Sequence, residues 1–148
     1  MKKFFYVVIL SIVSTTISLG QDTNVTLKVT NYEFNGENFD HVAINEDVAL
    51  SFYNCGEDLC FCNKFRNSGS QSYGKVSALK YEEIPTTNEK YKKQKIKFTW
   101  SFENTYDDIE GQAVVTITNI QIGNTVKFVA EIVVLDTEDI LLLTGYLE

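Results

Sequence analysis

Lys95-Ile96-Lys97-Phe98-Thr99-Trp100-Ser101-Phe102-Glu103 alternates polar and apolar residues without a break. Successive side chains on a β-strand point to opposite faces. Ile96, Phe98, Trp100 and Phe102 therefore share one face, and Lys95, Lys97, Thr99, Ser101 and Glu103 the other. From Lys93 to Leu147 further segments of this kind follow, separated by turn-forming breaks. Ala113, Val115 and Ile117 carry the stripe onto the next strand, and Val126, Phe128, Ala130, Ile132 and Val134 onto the one after. Gly123-Asn124 reads as a two-residue hairpin turn, where glycine supplies a positive φ. Asp136 to Asp139 turns the chain once more, and Ile140 to Leu147 completes the meander.

The first half of the chain reads the same way. Val25, Leu27 and Val29 alternate with Thr26, Lys28 and Thr30 on a strand running toward Phe34, and Asn35-Gly36-Glu37-Asn38 is a turn signal. His41 to Ile44 reads as a short edge piece. Val48 to Cys55 and Leu59 to Phe65 form a hairpin about Gly56-Glu57-Asp58, and residues 67–72 read as a loop. Tyr73 to Ile84 is a longer strand whose period breaks between Val76 and Leu79, which a bulge near Ser77 or burial of both faces would explain. Pro85 closes it. The expectation is an all-β, single antiparallel domain of about eight strands, an up-and-down meander closing as a small barrel. A two-layer β-sandwich is the alternative.

Residues 1–20 read as a secretory signal: a basic start at Lys2-Lys3, an apolar run from Phe4 to Val13, and small residues Ser18 and Gly20 before a cut at Gln21. The run is shorter than the ~20 apolar residues of a spanning helix. Cleavage leaves 21–148 as a single all-β domain and, with Lys2 and Lys3 removed, takes the formal charge from −7 to −9. An acidic surface disfavours nucleic acid, whose phosphates need clustered Lys and Arg. The lysines at 90, 92, 93, 95 and 97 read as a solvated face that discourages edge pairing. The expected location is secreted or periplasmic, with no stable membrane span after cleavage.

Cys55, Cys60 and Cys62 are the chain's cysteines. In an oxidising compartment one disulfide is expected, with Cys55–Cys60 and Cys55–Cys62 both reachable. The odd thiol, near Lys64 and Arg66, is a candidate for a lowered pKa and a dimer bridge. The cysteines and His41 do not have a familiar zinc spacing. Asn104, Asp107, Asp108 and Glu110 form an oxygen-rich turn unlike an EF-hand loop, and whether it holds Ca²⁺ stays open.

Little points to catalysis. His41 is the single histidine, and no nucleophile elbow, phosphate loop or zinc-protease helix is present. No catalytic residue, cofactor or metal is expected. Phe98, Trp100, Phe102 and Phe128 are core aromatics or, in the sharper reading, the lining of a cavity. Two functions follow. One is a non-enzymatic binding module holding a small apolar molecule or lipid in the barrel mouth. The other is a structural or interaction protein of the cell envelope, meeting an envelope protein through an exposed sheet edge or an apolar sheet face. That face would combine Val129, Val133 and Leu135 with Leu141, Leu143 and Leu147. An outer-membrane barrel is disfavoured, because Gly145-Tyr146-Leu147-Glu148 lacks a terminal aromatic and the turns show no long-loop, short-turn asymmetry.

Overall fold

The computed structural model describes residues 25–88 and 90–148; the expected signal, 1–20, lies outside them. The strands are β1 (Val25–Phe34), β2 (Glu37–Asn38), β3 (Val48–Cys55), β4 (Asp58–Phe65), β5 (Gln71–Ile84), β6 (Tyr91–Asn104), β7 (Glu110–Ile122), β8 (Thr125–Val134) and β9 (Ile140–Leu147). One helix, α1 (Asp40–Asn45), lies between β2 and β3. Every pairing is antiparallel, in the order β2-β1-β3-β4-β5-β6-β7-β8-β9. β1 also pairs with β9, Leu27 opposite Leu147 and Phe34 opposite Leu141. The eight long strands thus close into a barrel, with β2 as an extra strand at its rim.

Alternation sorts the side chains as expected. Ile96, Phe98, Trp100, Val115, Ile117, Phe128 and Ile132 point inward and are buried. Phe52, Phe61, Phe98 and Trp100 interlock, with Phe61 at 4.9 Å from Phe52, 5.2 Å from Phe98 and 5.1 Å from Trp100, centroid to centroid. Such tilted and edge-on contacts suit the ring quadrupoles. The outward set on β6 to β8 includes Lys97, Thr116, Thr118, Lys127 and Glu131. Apolar inside and polar outside is the reverse of a transmembrane barrel, which turns its apolar band to lipid. No helix among the described residues is long and apolar enough to cross a membrane.

Three local expectations change. His41 to Ile44 belongs to α1, not to an edge strand. Asp40 sets the helix: its Oδ1 accepts from Tyr32 N–H at 2.8 Å and its Oδ2 from Asn38 Nδ2 at 2.9 Å. A carboxylate in the first helical turn also complements the helix dipole. Ala43, fully buried, plugs the space where β1 runs on past its pairing with β3. Strand β5 begins at Gln71, inside the expected loop, because Gln71 to Lys75 pair with Lys64 to Cys60. Leu141 and Leu143 face inward opposite Ile132 and Ala130, and Leu147 packs on the core beside Leu27. They therefore do not share an outer face with Val129 and Val133. Of the two explanations for the phase break in β5, the bulge is present: the β5–β6 register shifts between Ser77 and Lys80, with Ala78 at φ 52°.

Candidate functional site

Of the four aromatics proposed to line a cavity, Trp100 and Phe102 touch, Phe98 and Trp100 both pack on Phe61, and Phe128 lies in the same core cluster. Phe98, Trp100 and Phe128 are almost wholly buried in the core cluster, and Phe102 is half-buried against Trp100 at 5.0 Å. Trp100 Nε1 donates to the Phe61 carbonyl at 3.0 Å, so the indole has its polar partner within the protein.

The outer wall is different. A broad open groove of about 1310 Å³ runs across β3 to β7. At one end are Cys55, Asp58 and Cys60 of the β3–β4 hairpin; at the other are Glu110 and Asp136. Tyr53 and Tyr73 stand on its wall, and Ser77, Ser101 and Gln112 add hydrogen-bonding groups. Register explains the assembly. Tyr53, Cys60, Lys75 and Ser101 are successive cross-strand neighbours on β3, β4, β5 and β6, followed by Gln112 on β7. All lie on the outward parity. Gly74, on the inward parity, lets β5 press close to β6, because a Cβ there would lie 1.8 Å from the Ser101 carbonyl oxygen.

The electrostatics are acidic. Asp58, Glu103, Glu110 and Asp136 face a single lysine, Lys75, which already pairs with Asp58 at 2.9 Å. That hydrogen bond and charge raise the Lys75 pKa. Tyr73 is hydrogen-bonded to Glu103, whose carboxylate opposes ionisation of the phenol and raises its pKa. Tyr53 is raised first by burial, then by Cys62, Tyr73 and Glu103 nearby. Both phenols remain neutral donors at physiological pH, as hydrogen-bonding recognition requires.

The cysteines sit at the edge of this groove. Cys55 and Cys60 form the disulfide, stapling the turn at Gly56-Glu57. Cys62 is the free thiol, buried on the outward parity between Ser51 and Tyr73. The expected fall in its pKa is corrected. Burial pushes it up to about 11, outweighing the lowering by Lys64. Its Sγ donates to Gln71 Oε1 at 3.4 Å. Arg66 is turned away, to Asp47 at 2.9 Å and Glu148 at 2.8 Å. A bridge to a second chain through Cys62 would first require the side chains that cover it to move aside.

Two predictions arise here. Replacing Cys55 and Cys60 together with serine should lower stability by about 2 kcal/mol, the low end for a short closed loop; urea unfolding under non-reducing conditions measures it. Stability should also fall at alkaline pH. Cys62 has its pKa raised from 9.0 to about 11, and burial raises Tyr32 from 10.0 to about 12. Between those values the unfolded chain releases protons that the folded chain keeps. Stability present below pH 9 is therefore lost as pH rises through 11 and 12. In melting curves from pH 8 to 12, Cys62→Ser should remove the earlier part of that loss; an unchanged curve contradicts the assignment.

The remaining sequence candidates stay apart from the groove or are engaged locally. His41 is exposed on α1, 6.0 Å from the Phe39 ring. In the turn after β6, Asp107 Oδ1 accepts from Ile109 N–H at 3.0 Å, and Asn104 Oδ1 accepts from Ser72 Oγ at 2.5 Å. The oxygens of this turn thus shape the chain itself. Among the described residues no group of His, Cys, Asp and Glu is arranged to hold a metal ion. The groove's tyrosines escaped sequence reading because they come from different strands; the shared outward parity of Tyr53 and Cys60 across the hairpin was the available signal. The chain matches no protein-family model, and no curated protein or solved structure is significantly similar to it.

Proposed function

We propose that this protein is a non-enzymatic, extracytoplasmic binding module whose ligand lies along the outer-wall groove. The observation that carries this reading is the contrast between the barrel's two surfaces. The interior is packed with its own rings, whereas the outer wall presents an open groove with two tyrosines and four carboxylates. Its volume, about 1310 Å³, exceeds the ~300–1,000 Å³ common for small-molecule pockets. An open groove of this size suits an extended ligand, held by tyrosine faces and by acceptors along its length.

The Cys55–Cys60 disulfide supports a location outside the cytoplasm, since such bonds persist in oxidising compartments. The acidic groove disfavours nucleic acid as the ligand. Native mass spectrometry of the exported protein tests the choice of surface. The reading expects an apo mass, and loss of polymer or peptide binding when Tyr53 and Tyr73 are replaced by alanine. A co-purified hydrophobic molecule unaffected by those replacements would return the ligand to the barrel interior.

A further inference from the structure

Charge is sorted along the outer face of β6. Ile96, Phe98 and Trp100 point inward, so Lys93, Lys95, Lys97, Thr99, Ser101 and Glu103 share the outward parity, with bases at one end and acid at the other. The neighbouring strands repeat the order. Glu103 stands opposite Glu110 of β7, and Asp136 lines the groove with them. At the other end Lys80 of β5 faces Lys97, a like-charge cross-strand pair that is unfavourable within one copy. Lys127 of β8 lies in the row of Lys93, with Ile120 between them. Lys97 and Glu103 are about 20 Å apart along the strand, too far for one copy's lysines to meet its own acidic end. Between the two ends lies the row Ser77, Thr99 and Val114, whose side chains are small.

We propose that two copies of this chain associate through this face as a closed dimer, with a two-fold axis running across the strands near Thr99. That axis sets β6 of one copy antiparallel to β6 of the other, and the lysine end of each meets the acidic end of its partner. Such a contact is self-complementary: every residue pair occurs twice, and the assembly closes at two. The small central row lets the faces approach, while the long lysine side chains reach into the groove. The groove's own cation, Lys75, is engaged by Asp58 at 2.9 Å. Glu103, Glu110 and Asp136 therefore meet the second copy's lysines. Both copies are acidic overall, but physiological salt screens charges beyond about 8 Å, so the matched charges in contact decide the outcome. The inference goes beyond the groove reading and stands on the sorted charges; the second copy and an extended ligand would compete for the groove's acidic end.

The test is carbodiimide coupling, which joins lysine amines to carboxylates in contact, on an equal mixture of isotope-labelled and unlabelled protein. Mass spectrometry should find links from Lys93, Lys95 or Lys97 to Glu103 or Glu110 that join a labelled to an unlabelled copy. Sedimentation should show monomer and dimer in a concentration-dependent equilibrium. Lys93→Glu with Lys97→Glu should weaken the dimer about tenfold or more, since each lost attraction counts twice. Glu103→Lys with Glu110→Lys should do the same, and mixing the two variants should restore a dimer. A monomer at every concentration, or links confined within one chain such as Lys95 to Glu82, would overturn the proposal and leave the lysines as a solvated face. Species larger than the dimer would overturn the two-fold closure. A mixture that stays monomeric, with both variants folded by circular dichroism, would overturn the charge pairing. The groove reading fails separately, if a short lysine-bearing peptide leaves Tyr53 and Tyr73 unperturbed in the monomeric Lys93→Glu, Lys97→Glu variant.

Discussion

Gly145→Ala is expected to destabilise the protein by about 3 kcal/mol or more, at the top of the range for forcing extra atoms into a packed site. A Cβ at this position would lie 1.8 Å from the Lys28 carbonyl oxygen and 3.0 Å from the Phe128 ring. The first of these is backbone and cannot rotate aside. Gly145 stands on β9 opposite Val29 of β1 and Phe128 of β8, at the seam that closes the barrel. Moving β9 away to relieve the clash strains the pairing of Leu27 with Leu147 and bares two strand edges, which invites aggregation. Thr144→Ala is the control. Its hydroxyl donates to Asn31 Oδ1 on the surface, and its loss should cost within about 0.5 kcal/mol. Urea unfolding of the pair measures both. Equal midpoints would show that β1 and β9 are not pressed together as described.

Trp100→Ala is expected to cost about 3–5 kcal/mol, as for other large aromatic truncations in cores. Typical domain stability is only about 5–15 kcal/mol, so this single change removes a large share of it. The indole packs on Phe61 and Phe102, and its truncation leaves a cavity between β4 and β6. It also removes the donor to the Phe61 carbonyl. Trp100→Phe separates these contributions. It keeps much of the ring packing but drops the hydrogen bond, and should cost about 1–3 kcal/mol. If Trp100 instead lined an apolar ligand cup, its truncation would be mild without ligand and would alter ligand affinity. Circular dichroism during denaturation, which does not depend on the lost tryptophan signal, distinguishes these outcomes.

How much of this was legible in the sequence depends on how far each feature's causes lie apart along the chain. Strand β6 was legible because a period of two over nine residues admits one arrangement. The phase break between Val76 and Leu79 marked an irregularity that either a bulge or two-sided burial would explain, and the register shift with β6 decides for the bulge. Helix α1 was not, since six residues give no usable period, and Asp40 finds its partners on β1 only after folding. The inward phase of β9 was ambiguous because apolar residues occupy both parities. The register of Leu141 with Ile132 decides it. The behaviour of Cys62 is hidden in the sequence for a related reason. Lys64 and Arg66 are near it in sequence, but Asp47 and Glu148 draw Arg66 away, and burial governs the thiol. The groove draws residues from five strands, so neither its volume nor its acidity had a local signature.

The choice between an outer and an inner binding surface is tested most directly by amide chemical-shift mapping of the isotopically labelled protein, titrated with a short extended peptide bearing lysines, chosen to suit the acidic groove, and, separately, with a long-chain fatty acid. The account predicts peptide-induced shifts at Tyr53, Tyr73, Ser77, Ser101 and Gln112, and no saturable shifts from the fatty acid. Saturable fatty-acid shifts centred on Phe98, Trp100 and Phe128, with the groove silent to the peptide, would contradict it.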